Sequence, residues 1–161
     1  MKKLIVIALA VVLALSAFVV FAACGKEESY DGEYQYAHPY GGTTPYGAKV
    51  TVTVKNGIIT NVKLWTEAET GWTRTSADNG STWTKHDETE ASYADFLASF
   101  EGLTVDEVKA ISVACAENGV PSDNGITKAP ESLKLLAGAT QSYGRIIKAV
   151  QNALSKIEAA A

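Results

Sequence analysis

Leu135-Leu136-Ala137-Gly138-Ala139-Thr140-Gln141-Ser142 sets small residues and two hydroxyls directly ahead of a long amphipathic segment, residues 144–157. Small residues opening a helix make an anion site. The first backbone N–H groups of a helix have no intrahelical partners, and the macrodipole places partial positive charge there. Ala137, Gly138 and Ala139 let the backbone approach a phosphate closely, while Thr140, Gln141 and Ser142 add polar side chains. By themselves these residues specify a phosphate-like group and nothing finer. No catalytic constellation accompanies them. Cys115 lies in the apolar context Ile111-Ser112-Val113-Ala114-Cys115-Ala116, which predicts a buried and inert thiol. His38 and His86 are the chain's two histidines, and neither has metal-ligand spacing. Asp87, Glu88 and Glu90 beside His86 read as a solvated face.

The elements that must hold the site read as strands followed by helices. Tyr34, Tyr36, His38 and Tyr40 alternate with other residues as one face of a strand. A glycine-rich loop, residues 41–47, leads to Val50, Val52 and Val54 alternating with threonines. Asn56-Gly57 is a hairpin turn, with Ile58-Ile59-Thr60-Asn61-Val62-Lys63-Leu64 as the return strand. A second, more polar hairpin is expected at Asn79-Gly80. Tyr93, Phe96, Leu97 and Phe100 then fall at helical spacing, and Gly102 is placed to end the turn. Thr104-Val105-Asp106-Glu107 is a capping box, followed by Val108 and Ile111 on one face. Residues 118–130, rich in Gly, Pro, Asn and Asp, predict a loop. The last helix is expected to turn Ile146, Ile147, Val150, Leu154 and Ile157 inward, with Arg145, Lys148 and Lys156 outward. The order predicts a single α+β domain, one antiparallel sheet from N-terminal hairpins packed against C-terminal helices.

The N-terminus predicts location. Lys2 and Lys3 precede an apolar run over residues 4–23, and Phe21-Ala22-Ala23-Cys24 resembles a bacterial lipobox in which the cysteine is lipidated. Phe21 stands where Leu, Val or Ile is usual. The alternative is an uncleaved anchor, since the run is about long enough to span a bilayer. Both place the remainder outside the cytoplasmic membrane, on its outer face. The expected organisation is a signal peptide over residues 1–23, a polar tether over 24–30 and a domain over 31–161. Removing the leader leaves about 138 residues, enough for one core. It also takes two of the 14 basic residues, against 18 acidic ones, for a net charge of about −6. Such a charge argues against a nucleic-acid partner. With Cys24 lipidated, Cys115 is left without a disulfide partner.

Several segments recur in one order: Asp31-Gly32-Glu33-Tyr34, the glycine loop, the hairpin from Val50 to Val62, Ala137-Gly138-Ala139-Thr140-Gln141-Ser142, and Ala149-Val150-Gln151-Asn152-Ala153-Leu154. Together they resemble the FMN-binding domain family, which includes flavin-carrying subunits of the Rnf and sodium-pumping NADH:quinone oxidoreductase complexes and small lipoproteins of extracellular electron transfer. The resemblance implies FMN as cofactor, held by Ala137, Gly138, Ala139, Thr140, Gln141 and Ser142. Thr140 matches the hydroxyl that a flavin transferase esterifies to the FMN phosphate. It also implies an electron-relay role at the cell surface with a redox partner protein. Two departures bear on attachment. Lys134 stands six residues before Thr140, where flavinylated members usually carry an acid, and Ala137 replaces the usual Ser or Thr. Glu69-Thr70-Gly71 echoes the family's Glu-Thr-Pro-Gly segment without its proline.

Covalent and reversible binding both stay open. At roughly 0.3 kcal/mol per heavy atom, the about 31 heavy atoms of FMN give about 9 kcal/mol of binding. That corresponds to a dissociation constant somewhat below micromolar, which favours an ester wherever free FMN is scarce. Lys134 favours ionic holding of the phosphate. A cofactor-free surface module binding carbohydrate or a partner protein is the alternative function. The aromatic strands and the motif's departures suggest it; Trp65, Trp72 and Trp83 suit either the flavin ring or a sugar, although packing accounts for such aromatics more simply.

Overall fold

A computed structural model describes residues 25–36, 46–70, 93–135 and 140–159. The leader with Cys24, the glycine loop up to residue 45 and the hairpin expected at Asn79-Gly80 lie outside the described residues. In the rest, the alternation of apolar and polar residues produces a three-stranded antiparallel sheet in the order β1 (Glu28–Tyr36), β2 (Tyr46–Lys55), β3 (Ile58–Leu64). Val50, Val52 and Val54 are buried, and the threonines between them face outward. Asn56 and Gly57 take φ of 53° and 76°, the two positive values that a tight turn of this kind requires. Val54 pairs with Ile59 but Thr53 pairs with Asn61, so Thr60 is an inserted residue. That bulge lets Ile59, Val62 and Leu64 all reach the core despite their uneven spacing.

Among the described residues four helices follow: α1 (Glu67–Thr70), α2 (Ala94–Ala98), α3 (Val105–Lys109) and α4 (Thr140–Ala159). Phe96, Leu97 and Phe100 are buried as their spacing predicts, and Gly102 takes φ of 87°. Thr104 and Glu107 form the expected capping box, with Glu107 N–H donating to Thr104 Oγ1 at 3.2 Å and Thr104 N–H to Glu107 Oε2 at 2.8 Å. This loop also closes the free edge of β3. Ile59 N–H donates to Leu103 O, Gly102 N–H to Ile59 O and Val105 N–H to Gly57 O, each at 2.9 Å.

Two expectations need correction. Residues 118–130 are not all loop, since β5 (Pro121–Thr127) pairs antiparallel with β4 (Ser112–Cys115). The described strands therefore form two antiparallel sheets instead of one. Ser, Asp, Asn and Gly give β5 little intrinsic strand preference, and packing supplies what propensity withholds. Arg145 is the second correction. Its place in the sequence predicts an outward side chain, yet it is only 1% exposed. Tyr143, Gly144, Arg145, Ile146 and Ile147 are all buried, because the first half of α4 has neighbours on several sides. The outward rule fails where a helix has no solvent face.

The two sheets use different halves of α4. Gly32 on β1 lies against Ala149 and Ala153, whose atoms fill the place a Cβ would take. Gly144 lies against Pro121 of β5 and Val113 of β4. Asn152 Nδ2 donates to Glu33 O at 2.7 Å and Lys156 Nζ to Asp31 O at 2.5 Å, so α4 runs antiparallel to β1 and covers its outer edge. Core residues from β2, β3, all of α2 through α4 and β4 make one continuous cluster. Among the described residues, no helix is long and apolar enough to cross a membrane. The architecture is α+β.

Candidate functional site

Thr140 is the first residue of the 20-residue helix α4, so the small-residue stretch leads directly into a helix N-terminus. Ala137, Gly138 and Ala139 lie outside the described residues, as do the side chains of Thr140 and Gln141. Described residues stand on both sides of them in the chain. Leu133 is buried, its N–H bonded to Pro130 O at 3.0 Å, and Lys134 N–H donates to Ser99 Oγ at 3.0 Å. The chain therefore enters the turn pinned to the end of α2. One turn into α4, Tyr143 stacks on Phe96 with centroids 4.1 Å apart and meets Tyr93 edge-on at 5.9 Å. Lys134 and Leu135 remain exposed at the approach, and Ser142 is half-buried.

No acidic residue stands in the first turn of α4, where the unpaired N–H groups and the macrodipole favour an anion. Arg145 is buried five residues on. The faces of Tyr93, Phe96 and Tyr143 are spent on one another in the core and offer no platform to a ring.

The other aromatic candidates are placed elsewhere. Tyr36 is buried, and Tyr34 is half-buried with its hydroxyl donating to Gly119 O at 2.7 Å. Burial, then the Cys115 thiol 3.4 Å away, pushes the Tyr34 phenol above its ordinary value. Cys115 is half-buried where full burial was expected, because the turn after β4 leaves it at the end of the hairpin. Trp65 lies on the outer face of the three-stranded sheet, its Nε1 donating to Thr51 Oγ1 at 2.9 Å with Lys49 Nζ 4.1 Å over the ring. Trp72, Trp83, His38, His86, Tyr40, Asp87, Glu88, Glu90 and the Tyr46 side chain lie outside the described residues.

Glu69 has a local structural role. Its Oε2 accepts the Thr66 N–H at 2.7 Å, while Glu69 N–H donates to Thr66 Oγ1 at 3.2 Å. This is a second capping box, legible as Thr66-Glu67-Ala68-Glu69 and missed in the sequence. The Thr66 N–H, and then Lys63 Nζ at 3.2 Å, hold the Glu69 carboxyl below the usual range.

At the other end of α4 is a feature that sequence reasoning missed altogether. Tyr30, Val54, Thr104, Val105, Ile157 and Lys26 line an open groove of about 410 Å³. At about 1.5 Å per residue, Ile157 lies about 26 Å along the helix from Thr140, so the groove and the opening of α4 are separate places. Its makers were each legible, but their meeting across residues 26, 54, 104 and 157 was not. No family model matches this chain, and neither a curated protein nor a solved structure matches it.

Proposed function

We propose that this chain is a membrane-tethered extracytoplasmic flavodomain that carries FMN at the opening of α4 and relays electrons at the cell surface. The observation that carries the reading is the start of α4 at Thr140, with no acidic residue in its first turn. Gly138, Ala139, Thr140, Gln141 and Ser142 would hold the phosphate, by an ester at Thr140 formed by a flavin transferase or by reversible contacts. The exposed Leu135 offers apolar surface beside them. Bound FMN supplies one- and two-electron transfer. The protein's part is to hold the phosphate on the helix end and present the site to a redox partner protein. Cys24 would carry the lipid that ties the domain to the outer face of the cytoplasmic membrane.

Intact mass spectrometry on protein purified from its own membranes, with absorption spectra before and after acid precipitation, tests this. A mass gain of one FMN less one water, mapped to Thr140, with yellow colour kept in the pellet, is the covalent outcome. Colour released to the supernatant is the reversible outcome. A colourless protein with no mass beyond lipid overturns the reading.

One observation favours a second reading, a cofactor-free module for carbohydrate. The half-exposed indole of Trp65 lies on a row of polar side chains, with Thr51 Oγ1 donating in turn to Asp31 Oδ1 at 2.6 Å. Tryptophan quenching on a glycan panel, abolished by Trp65→Phe in a protein that ignores FMN, would establish it.

A further inference from the structure

Gly25 is the point where the described chain begins, and it lies against the β2–β3 turn. A Cβ on Gly25 would overlap the Asn56 side-chain amide. The preceding 24 residues include the apolar run over residues 4–23, about 30 Å long as a helix. Whether that run stays as an anchor or is replaced by lipid on Cys24, the membrane attachment meets the domain at the Asn56-Gly57 turn.

The same end carries exposed apolar surface. Ile58, next to the turn, is 42% exposed, the larger of two such values among the described large hydrophobic residues. The groove opens here too, floored by Val54, Val105 and Ile157, with Tyr30 on its wall. Tyr30 has the apolar body and polar tip that suit a bilayer interface, and its hydroxyl is bonded to Glu28 Oε2 at 2.5 Å. Lys26, Glu28 and Asp106 on the groove bring both signs of charge, so its electrostatics select neither anionic nor neutral lipid.

We propose that the domain stands on the lipid surface on this end, with Ile58 and the groove against the headgroup boundary. The opening of α4 then faces the aqueous phase, because α4 ends at the groove with Ile157 and begins about 26 Å away. The β4–β5 turn shares that outward end, since Tyr34, near the far end of β1, bonds Gly119 within it. Whatever binds at the opening of α4 is met from the water side. The proposal rests on reading residues 1–24 as the membrane attachment and is independent of FMN.

The test uses the full chain, produced with its leader and reconstituted in nanodiscs of neutral phosphatidylcholine carrying bromine on the acyl chains. An environment-sensitive fluorophore is placed at Ile58→Cys or, in a second sample, at Glu117→Cys on the β4–β5 turn, both with Cys115→Ser, and the signal of a Cys115→Ser sample, labelled on Cys24 wherever that thiol is free, is subtracted from each. The expected result is about a twofold fall in emission at residue 58 and none at residue 117, as the short reach of the lipid boundary requires. Unlabelled protein should show slower hydrogen exchange over residues 56–58 in discs than in detergent. Equal quenching at both positions, or none at residue 58 in protein that co-migrates with discs, overturns the proposal. Quenching that requires phosphatidylglycerol overturns the apolar contact. Protein that fails to co-migrate with discs removes the attachment reading and the proposal with it.

Discussion

Against the three-stranded sheet, α4 comes so near that Gly32 has no room for a side chain, and the obstacles include the Ala149 carbonyl and the Ala153 amide. Against the β4–β5 hairpin, the matching close approach is Gly144. There the obstacles are side chains, with Pro121 Cβ at 2.7 Å and Val113 Cγ1 at 3.2 Å from the place a Cβ would take. The first contact is backbone on backbone and is further tied by Asn152 and Lys156 to the edge of β1. The second is side chain on a short two-stranded ribbon, an element with marginal stability of its own. One helix thus has a rigid seat on one sheet and a yielding one on the other. The rigid seat is toward Gly25 and the β2–β3 turn, and the yielding seat is near the opening of α4.

Gly32→Ala should show the contrast at its greatest. Backbone atoms of α4 cannot turn aside, and the substitution should cost about 3 kcal/mol, read as a lower urea midpoint. A loss below that of Gly144→Ala would break the comparison. Gln151 stands at the joint between the two regions, its Nε2 donating to Val108 O at 3.0 Å and Ile111 O at 2.7 Å. Gln151→Ala takes the side-chain donor from both carbonyls, Val108 O keeping the Ile111 N–H at 3.2 Å, and should cost roughly 2 kcal/mol. Thr104→Ala removes the cap of α3 and should cost roughly 1 kcal/mol. For Gly144→Ala, the gain of about 1 kcal/mol in helix preference works against the push on the Pro121 ring at 2.7 Å, and the net cost should stay well below that of Gly32→Ala. Thermal unfolding of the four variants side by side ranks them.

Acid supplies the smallest effect. The Thr104 N–H, followed by its hydroxyl, holds the Glu107 carboxyl below its ordinary value of 4.5, and Glu69 is held down in the same way by Thr66. The unfolded chain therefore binds these protons more readily than the folded one. Their contribution is present above pH 4.5 and is lost as pH falls through the lower folded values. The unfolding midpoint should fall on acidification in that window, and Glu107→Gln should flatten the fall.

The rigid region was the legible one. Val50, Val52 and Val54 alternate strictly, Asn56-Gly57 demands positive φ, and Thr104 with Glu107 spells its own cap, so each reads from a few neighbouring residues. The last helix was legible over residues 144–157, but it begins at Thr140, inside the stretch that reads as the turn ahead of it. The yielding region was not. Pro121-Ser122-Asp123-Asn124-Gly125 reads as loop, and only its pairing with β4 and its contact with α4 make it a strand. Arg145 read as a solvated cation, since nothing local announces that its helix is enclosed.

By itself the amino-acid sequence determined the α+β class, the hairpin, the helix caps, the apolar stripe of α4 and the small-residue approach to Thr140. Those features depend on interactions within a turn or along one strand. Tertiary structure alone decided that Asn152 would cap Glu33 across 119 residues of chain, that Gly25 would lie against Asn56, and that a groove would open where Tyr30, Val105 and Ile157 meet. Such meetings follow from how closely packed surfaces fit, and no local pattern encodes the distance at which two remote surfaces come to rest.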